Sequence, residues 1–372
     1  MKKIAALFLT AGLTVGLLSG CGGSGDAGSR AASDSKAASA SSAAPEAEKA
    51  SEGEVKSSRS LTIYTAFPEA EVVYYINKFS EETGIEVNYI RLSAGEMLTR
   101  VAAEKENPQA SLMLGGSTDN YIAAANQGLL EPYQSPSLSS TPERFIDPDG
   151  VWDPIYVGCI AFACNRDWFA EKGYDYPTSW EDLPDEKYQD QIIMAHPSTS
   201  GTAYTVLATL VQMMGKDNVW SYLEKLDKNI TQYTQSGSAA PNAVALGESA
   251  IALTFSHDGL QPTAEGYPID LSFPEDGTGY EVGATALIKN GPAEEQENAK
   301  KFIDWMCSTE GQNLYAENDS FRVPTNTDAV VADGLVTLDK VSVIDYDAVW
   351  AAENKEELTA EFESTLAEAP AE

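Results

Sequence analysis

The chain has 372 residues, 43% of them hydrophobic, which is ample for a large buried core. Its 24 lysines and arginines stand against 57 acidic residues, so the formal net charge is −33. Such a surface repels nucleic acid, and no basic stripe with interleaved aromatic residues offsets it. The composition therefore argues against a nucleic-acid-binding protein.

The first 20 residues have the pattern of a secretory signal peptide. Lys2 and Lys3 form a basic start, residues 4–18 form a short apolar core, and small residues lead to Cys21. This order is typical of a cleavable signal. The cysteine at the cleavage position resembles the lipobox of bacterial lipoproteins; the alternative is an ordinary signal with a chance cysteine. The resemblance implies that Cys21 receives lipid and anchors the exported protein at the outer face of the cell membrane.

Residues 21–58 are predicted to form a disordered tether. Small and charged residues dominate this segment, aromatic residues are absent, and Val55 is its one valine. It therefore has too little apolar surface to offset the entropy lost on ordering. A flexible coil of this length reaches on the order of 30 Å, which suits a domain that samples the surface around its anchor.

Two α/β blocks follow the tether. The first has predicted strands at 61–65, 85–91 and 111–114, and predicted helices at 69–83, 93–106 and 119–128. The second has strands at 156–165, 190–195, 230–233, 250–255, 269–273 and 280–288, and helices ending at 214, spanning 219–226 and ending at 246. Helical patterns begin again at 293 and near 346. Strands alternating with helices indicate βαβ units and parallel sheets.

The order of these blocks predicts an α/β protein with two lobes, between which the chain passes more than once. We expect residues 59–157 and 284–372 to form lobe 1 and residues 158–283 to form lobe 2. Outside the signal, no run approaches the roughly 20 apolar residues that a membrane helix needs.

With Cys21 assigned to lipid, three cysteines remain: Cys159, Cys164 and Cys307. An odd number argues against a full disulfide framework, although Cys159 and Cys164 could pair; buried free thiols are the alternative. There is no C-x-x-C motif and the chain has 2 histidines, so we expect no metal site built from Cys and His. The sequence indicates no cofactor.

Polar residues follow three of the predicted strands, at 197–202, 235–238 and 256–258. Ligands of parallel sheets bind outside the carboxyl ends of the strands, so these segments are candidates for a binding site. The first two place a serine–glycine motif before a helix. Glycine lets the backbone approach a ligand and free helix N–H groups favour an anion, but serine and threonine also cap helices without any ligand.

His257 and Asp258 end the third of these strands. Asp258 can accept hydrogen bonds from ligand hydroxyls and His257 can donate one, although a local hydrogen-bonded turn would explain the pair as well. A hydrolase is disfavoured because the consecutive residues 256–258 cannot form a line of nucleophile, base and orienting acid. No G-x-S-x-G motif occurs either.

These segments together resemble the solute-binding proteins of the iron(III)-type ABC importer group. The likeness lies in residues 197–205, 232–238 and 255–258, with further support from 91–96, 107–108, 115–117 and 299–308. It covers roughly residues 61–328. It implies a two-lobed, type 2 periplasmic-binding fold that closes on its ligand by a hinge motion and performs no chemistry.

Within this group, the sequence departs from the ferric-binding pattern. Ferric-binding members have two adjacent tyrosines where this chain has His257 and Asp258, and a histidine in the loop that is here 66–68. The His-Asp pair instead resembles the branch that binds hexose phosphates, which also has a downstream glutamate matched by Glu281.

The resemblance implies a role for each candidate residue. The phosphate would be held by Ser200, Gly201, Thr202, Ser236 and Ser238. The sugar hydroxyls would be read by His257, Asp258 and Glu281, and the opposite lobe could contribute Thr65, Ser117 and Arg322.

The expected function is an extracytoplasmic receptor that captures a phosphorylated small molecule, most simply a sugar phosphate, and delivers it to the permease of an ABC importer. The same fold could instead bind a phosphonate, ferric iron or a polyamine, and a surface-anchored hydrolase is the remote alternative. We expect a monomer that meets the membrane only through its lipid.

Replacing Cys21 tests the anchor. We expect Cys21→Ala to lose incorporation of an alkyne-tagged fatty acid and to leave the membrane fraction, because the thiol is the predicted acceptor. Cys307→Ala, as the control, should keep both the label and the membrane association. An unlabelled wild-type protein, or a Cys21→Ala protein labelled like the wild type, would contradict the lipobox prediction.

Overall fold

The computed structural model describes residues 58–367 and Pro370. The predicted signal peptide, Cys21 and the tether up to residue 57 lie outside these residues. No helix in the described part of the chain is long and apolar enough to cross a membrane.

The helices and strands alternate along the chain much as the sequence predicts. The first block contains β1 (Ser60–Thr65), α1 (Glu69–Thr83), β2 (Glu86–Arg91), α2 (Ala94–Ala103), β3 (Leu112–Ser117), α3 (Thr118–Asn126) and β4 (Leu130–Glu131). The middle block contains β5 (Asp153–Asn165), α4 (Arg166–Lys172), β6 (Ile192–Ala195), α5 (Gly201–Met214), α6 (Lys216–Asp227), β7 (Ile230–Thr234), α7 (Ala239–Ala245), β8 (Ile251–Phe255), α8 (Ser256–Ala264) and β9 (Ile269–Ser272). The last block contains β10 (Tyr280–Ile288), α9 (Gln296–Cys307), α10 (Thr309–Glu317), β11 (Val323–Pro324) and α11 (Ala348–Thr365).

The two lobes share strand β5, whose 13 residues are all buried. Its first half pairs antiparallel with β10 in the order β2-β1-β3-β10-β5, in which β1 is parallel to both β2 and β3. Its second half pairs antiparallel with β8 in the order β5-β8-β6-β7, in which β6 is parallel to both neighbours. The predicted two-lobed α/β fold is therefore confirmed, although each sheet is mixed rather than wholly parallel.

Helices cover both faces of each sheet, which explains the nearly continuous apolar strands. In β1, Leu61 and Ile63 face a cluster that includes Phe79 of α1 and Phe302 of α9. Tyr64, on the opposite face, joins a cluster with Met97 of α2. The second lobe has its own core around β6, β8 and α5.

The position of the C-terminal helix α11 differs from the predicted division into lobes. The rest of that division stays a prediction. The sequence places residues 284–372 in lobe 1, but Ala351, Leu358 and Phe362 of α11 lie in the core of the second lobe. The ring of Phe362 meets those of His196 and Tyr233, with centroids 5.2 and 5.5 Å apart. The order of elements along the chain could not reveal that α11 packs in the second lobe, because α11 follows elements of the first lobe.

Helix α8 is the main element that the sequence analysis missed. It begins at Ser256, where we predicted only a turn after the strand, and it contains Gly259 and Pro262. Both residue types disfavour a helix interior, which explains the miss. Cys159, Cys164 and Cys307 are buried free thiols, so the two nearby cysteines do not pair.

Glu295 joins the end of α9 to the first sheet, and its removal should lower stability. Its carboxylate accepts hydrogen bonds from Thr62 N at 2.9 Å, Thr62 Oγ1 at 3.1 Å and Ser111 Oγ at 2.7 Å. Glu295→Gln turns an amide N–H₂ toward these donors and should cost about 1–3 kcal/mol of unfolding free energy in urea titrations. Glu297→Gln, an exposed change in the same helix, is the control; equal stability of both variants would contradict this assignment.

Candidate ligand-binding site

A cleft of about 420 Å³ lies between the lobes, beside the segment of β5 that passes from one sheet to the other. Its lining comprises Ala66, Pro68, Arg91, Ser93, Ala94, Gly116, Ser117, Tyr156, Ser200, Gly201, Thr202, Ser236, Gly237, Ser238, Phe255, His257, Asp258, Glu281 and Arg322. The three polar strand ends singled out from the sequence therefore meet in one place.

The structure brings together every predicted ligand residue in its described part except Thr65. Thr65 is fully buried, and its Oγ1 accepts a hydrogen bond from Phe67 N at 3.2 Å, so it supports the turn after β1. Arg91 and Tyr156 line the cleft but were not proposed as ligand residues. Arg91 ends a strand at the carboxyl edge of the sheet, and this position could have identified it.

One end of the cleft is rich in hydrogen-bond donors. Ser200, Thr202, Ser236 and Ser238 present hydroxyls there, and the Arg91 guanidinium lies 3.3 Å from Ser238 Oγ. Thr202 and Gly237 pack so closely that a Cβ at position 237 would lie 2.1 Å from Thr202 Oγ1. The glycine is therefore needed to bring the two predicted phosphate segments together.

Within the described residues, five helices of nine or more residues begin at the cleft, namely α1, α2, α3, α5 and α8. Ser200 Oγ accepts from Ala203 N at 3.4 Å, so it caps α5, as the simpler of the two sequence interpretations held. Among the described residues, α1, α3 and α8 have no side-chain cap, so their first N–H groups remain available. Of these three, α3 lies at the donor end, where Ser117 contacts Gly201, whereas the first turns of α1 and α8 carry Glu71 and Asp258 of the other end. The free N–H groups of α3 and the dipoles of α3 and α5 make the donor end positive in potential.

The other end of the cleft holds three buried titratable side chains. His257 Nε2 lies 3.5 Å from Glu281 Oε1 and 3.8 Å from Asp258 Oδ1. The imidazole stacks on Phe255 and fits against Gly158, where a Cβ would lie 2.5 Å from Nδ1. Within the described residues Asp258 Oδ1 has no hydrogen-bond partner, so it is a free acceptor for a ligand donor.

Burial controls the protonation of this end. It raises the pKa of Glu281 to about 8 and that of Asp258 to about 6, and the Arg322 guanidinium partly opposes both increases. Burial and Arg322 together hold the pKa of His257 well below its usual range. At pH 7 the three groups therefore carry about one negative charge, on Asp258, and Glu281 keeps a proton that it can donate.

Arg322 is held by a buried ion pair at the acidic end. Its Nε and Nη2 donate to the two carboxylate oxygens of Glu71 at 2.8 and 3.1 Å, and Nη2 lies 3.8 Å from Asp258 Oδ1. The guanidinium also covers the rings of Phe67 and Tyr156 at 4.6 and 4.4 Å. Such a fork geometry fixes the side chain, so Arg322 shapes the cleft wall.

Backbone contacts join the lobes at the edge of the cleft. Ser93 Oγ and Gly95 N both donate to Thr199 O, at 2.5 and 3.1 Å. A Cβ at position 95 would lie 2.7 Å from this oxygen, so only glycine allows the approach. The lobes are thus in contact, as expected for the closed state of a hinged binding protein.

The fold and the enclosed polar cleft define a binding protein for a small solute. Comparison with known families identifies the chain as a member of the bacterial extracellular solute-binding proteins, matched over residues 116–350. A protein of Haemophilus influenzae is 35% identical over 301 residues, which are 79% of this chain and 86% of that one. Members of this class bind a small ligand outside the cytoplasm, deliver it to an ABC importer's permease and are not enzymes.

Relatives within the family differ in ligand. The periplasmic binding protein AfuA of Actinobacillus pleuropneumoniae, solved with exogenous fructose-6-phosphate bound, is 31% identical; the alignment covers 83% of this chain and 99% of AfuA, with a TM-score of 0.80. A putative 2-aminoethylphosphonate-binding periplasmic protein of Salmonella typhimurium is 25% identical over 264 residues, 68% of this chain and 74% of that one.

The raised pKa of Glu281 predicts a pH-dependent stability of the ligand-free protein. Because the folded state holds the proton up to about pH 8 and a glutamate of the unfolded chain releases it near 4.5, this contribution is complete below pH 4.5 and is lost as pH rises to 8. The Glu281→Gln variant lacks this titrating group. The difference between its unfolding free energy and that of wild type, measured in urea titrations, should therefore increase from pH 4.5 to pH 8. A constant difference between the two proteins would contradict the burial of a neutral Glu281.

Proposed function

We propose that this protein captures a sugar phosphate in the cleft between its lobes and delivers it to the permease of an ABC importer. One observation carries the proposal: a single cleft has hydrogen-bond donors at one end and buried acceptors at the other. A sugar phosphate has the complementary pattern, with acceptor oxygens on the phosphate and donor hydroxyls on the ring.

The donor end suits a phosphate group. A phosphate taken from water needs several fixed donors, and the uncapped first turn of α3 supplies backbone N–H groups without the freedom of a lysine side chain, beside the hydroxyls of the same end. Arg91 adds a guanidinium, which can donate two hydrogen bonds to one phosphate. The formal charge of −33 does not prevent this, because salt screens distant charges while these groups act at contact.

The acceptor end suits hydroxyls. Asp258 Oδ1 has no hydrogen-bond donor among the described residues, and a protonated Glu281 can both accept and donate. His257 is neutral and contributes no charge that would require a counterion. The small net charge of this end matches a neutral polyol better than a strongly cationic group.

An aminoalkyl phosphonate is the second candidate, because the ionised Asp258 could accept an ammonium group. A polyamine would face Arg91 and the positive helix starts, which disfavours it. Ferric iron would lack the paired tyrosines of the ferric-binding pattern, since His257 and Asp258 occupy those positions.

We further propose that the receptor is monomeric and is anchored at the outer face of the membrane through lipid on Cys21. The tether of residues 21–58 would let the folded part reach the permease while attached. No enzymatic step belongs to this function, and the ligand leaves chemically unchanged.

A ligand panel tests the proposal on ligand-stripped protein beginning near Arg59. Glucose 6-phosphate and fructose 6-phosphate should raise the melting temperature, because a ligand at a hundred times its Kd adds about 2.7 kcal/mol. Glucose, inorganic phosphate, spermidine and ferric citrate should give smaller shifts or none. A shift with 2-aminoethylphosphonate alone would establish the second candidate, and a shift with iron or spermidine alone would overturn the proposal.

Site variants test the two ends separately by calorimetry. Ser238→Ala should weaken glucose 6-phosphate binding about tenfold, the effect of losing roughly 1.4 kcal/mol of hydrogen bonding. Asp258→Asn should weaken the sugar phosphate more than it weakens inorganic phosphate. Ser364→Ala, at an exposed serine of α11, is the control. Unchanged affinity in both site variants would remove these residues from the site.

A further inference from the structure

Lys355 on helix α11 links the second lobe to the first. Helix α11 is fixed in the core of the second lobe through Leu358 and Phe362, and Tyr204 of α5 donates a hydrogen bond to Ala351 O. The Lys355 side chain leaves this helix toward α3 of the first lobe. Its Nζ lies 2.7 Å from Asp119 Oδ2 and 2.6 Å from Asn120 Oδ1.

This ammonium is largely enclosed. The Lys355 side chain is 13% exposed and that of Asp119 is 2% exposed. Nζ also lies 4.5 Å from the centroid of the Tyr204 ring, so an aromatic face covers it on the α5 side. A buried ion pair of this kind leaves a strongly unfavourable charge when one partner is removed.

The contacts continue from Asn120 to the ligand cleft. Its carbonyl oxygen accepts from Lys355, and its Nδ2 lies 3.3 Å from Ser117 Oγ and 3.4 Å from Ser117 O. Ser117 lines the cleft and directly precedes α3. The lysine therefore fixes which side of the Asn120 amide faces Ser117.

The charge of Asp119 reaches the same cleft. Asp119 lies in the first turn of α3, where a carboxylate cancels the positive end of the helix dipole. Burial is the main cause of the raised pKa of Glu281 at the cleft wall, and the negative charge of Asp119 adds a minor contribution to the same increase. Unpaired, this carboxylate would repel an anion bound at α3.

We propose that Lys355 is a positioning residue for the ligand: it neutralises Asp119 and holds Asn120 against Ser117, so that α3 presents its free N–H groups to an anion. This inference rests on the proposed function, because it requires an anionic group at this end of the cleft. Lys355 itself is not part of the cleft lining.

The test compares Lys355→Met with Lys216→Met. Lys216 also contacts α11, at Asn354 and Glu357, but on a more exposed side. We expect Lys355→Met to weaken glucose 6-phosphate binding about tenfold or more by calorimetry, and Lys216→Met to change it less than about twofold. The double variant Asp119→Asn with Lys355→Met should recover most of the affinity, because the unpaired carboxylate is gone. A merely structural lysine would not produce this recovery.

Hydrogen exchange of the hydrogen-bonded amides of α3, which follow its first turn, supplies a readout that needs no ligand. Exchange should be faster in Lys355→Met than in wild type and unchanged in Lys216→Met. Wild-type affinity in Lys355→Met, or a double variant as weak as the single one, would overturn the positioning proposal and leave the proposed function intact. If wild type binds no sugar phosphate, the proposed function fails, and equal exchange in all three proteins would overturn the positioning of α3 as well.

Discussion

The sharing of strand β5 between two sheets is the constraint on which the site depends. In its first half Gly158 pairs with Glu281 of β10, and in its second half Ile160 pairs with Phe255, the residue before α8. These two pairings place Glu281 and His257 on either side of one short stretch of backbone. A shift of register in either pairing would move one of these side chains to the opposite face.

The site separates opposite chemistries within a small space. Helix starts, hydroxyls and Arg91 concentrate positive potential at one end, while Asp258 and Glu281 supply acceptors at the other. Burial limits the negative charge of the acceptor end by keeping Glu281 protonated, and Arg322 is already neutralised by Glu71. An acidic protein can thus hold an anion, because contact interactions with fixed dipoles outweigh screened charges at a distance.

Sequence patterns predicted most of the strands and the convergence of their polar ends, because hydrophobic periodicity and strand-end position are local properties. Helix α8 was missed, since Gly259 and Pro262 read as helix breakers. The place of α11 in the second lobe depends on contacts such as that of Ala351 with Tyr204, which lie 147 positions apart. The link from Lys355 to Asp119 joins residues 236 positions apart, and no local pattern contains either contact. Thr65 is the opposite case, because this polar residue at a strand end was predicted to contact the ligand but instead stabilises the turn after β1.

The central claim is that the cleft binds a phosphate ester of a polyol, and ³¹P nuclear magnetic resonance tests it most directly. One sample would hold the ligand-stripped protein with equal amounts of glucose 6-phosphate and 2-aminoethylphosphonate, whose phosphorus signals are well separated. If the cleft binds the ester, its signal should shift or broaden with added protein while the phosphonate signal stays sharp. A sharp ester signal beside a perturbed phosphonate signal, or two unperturbed signals, would contradict this claim.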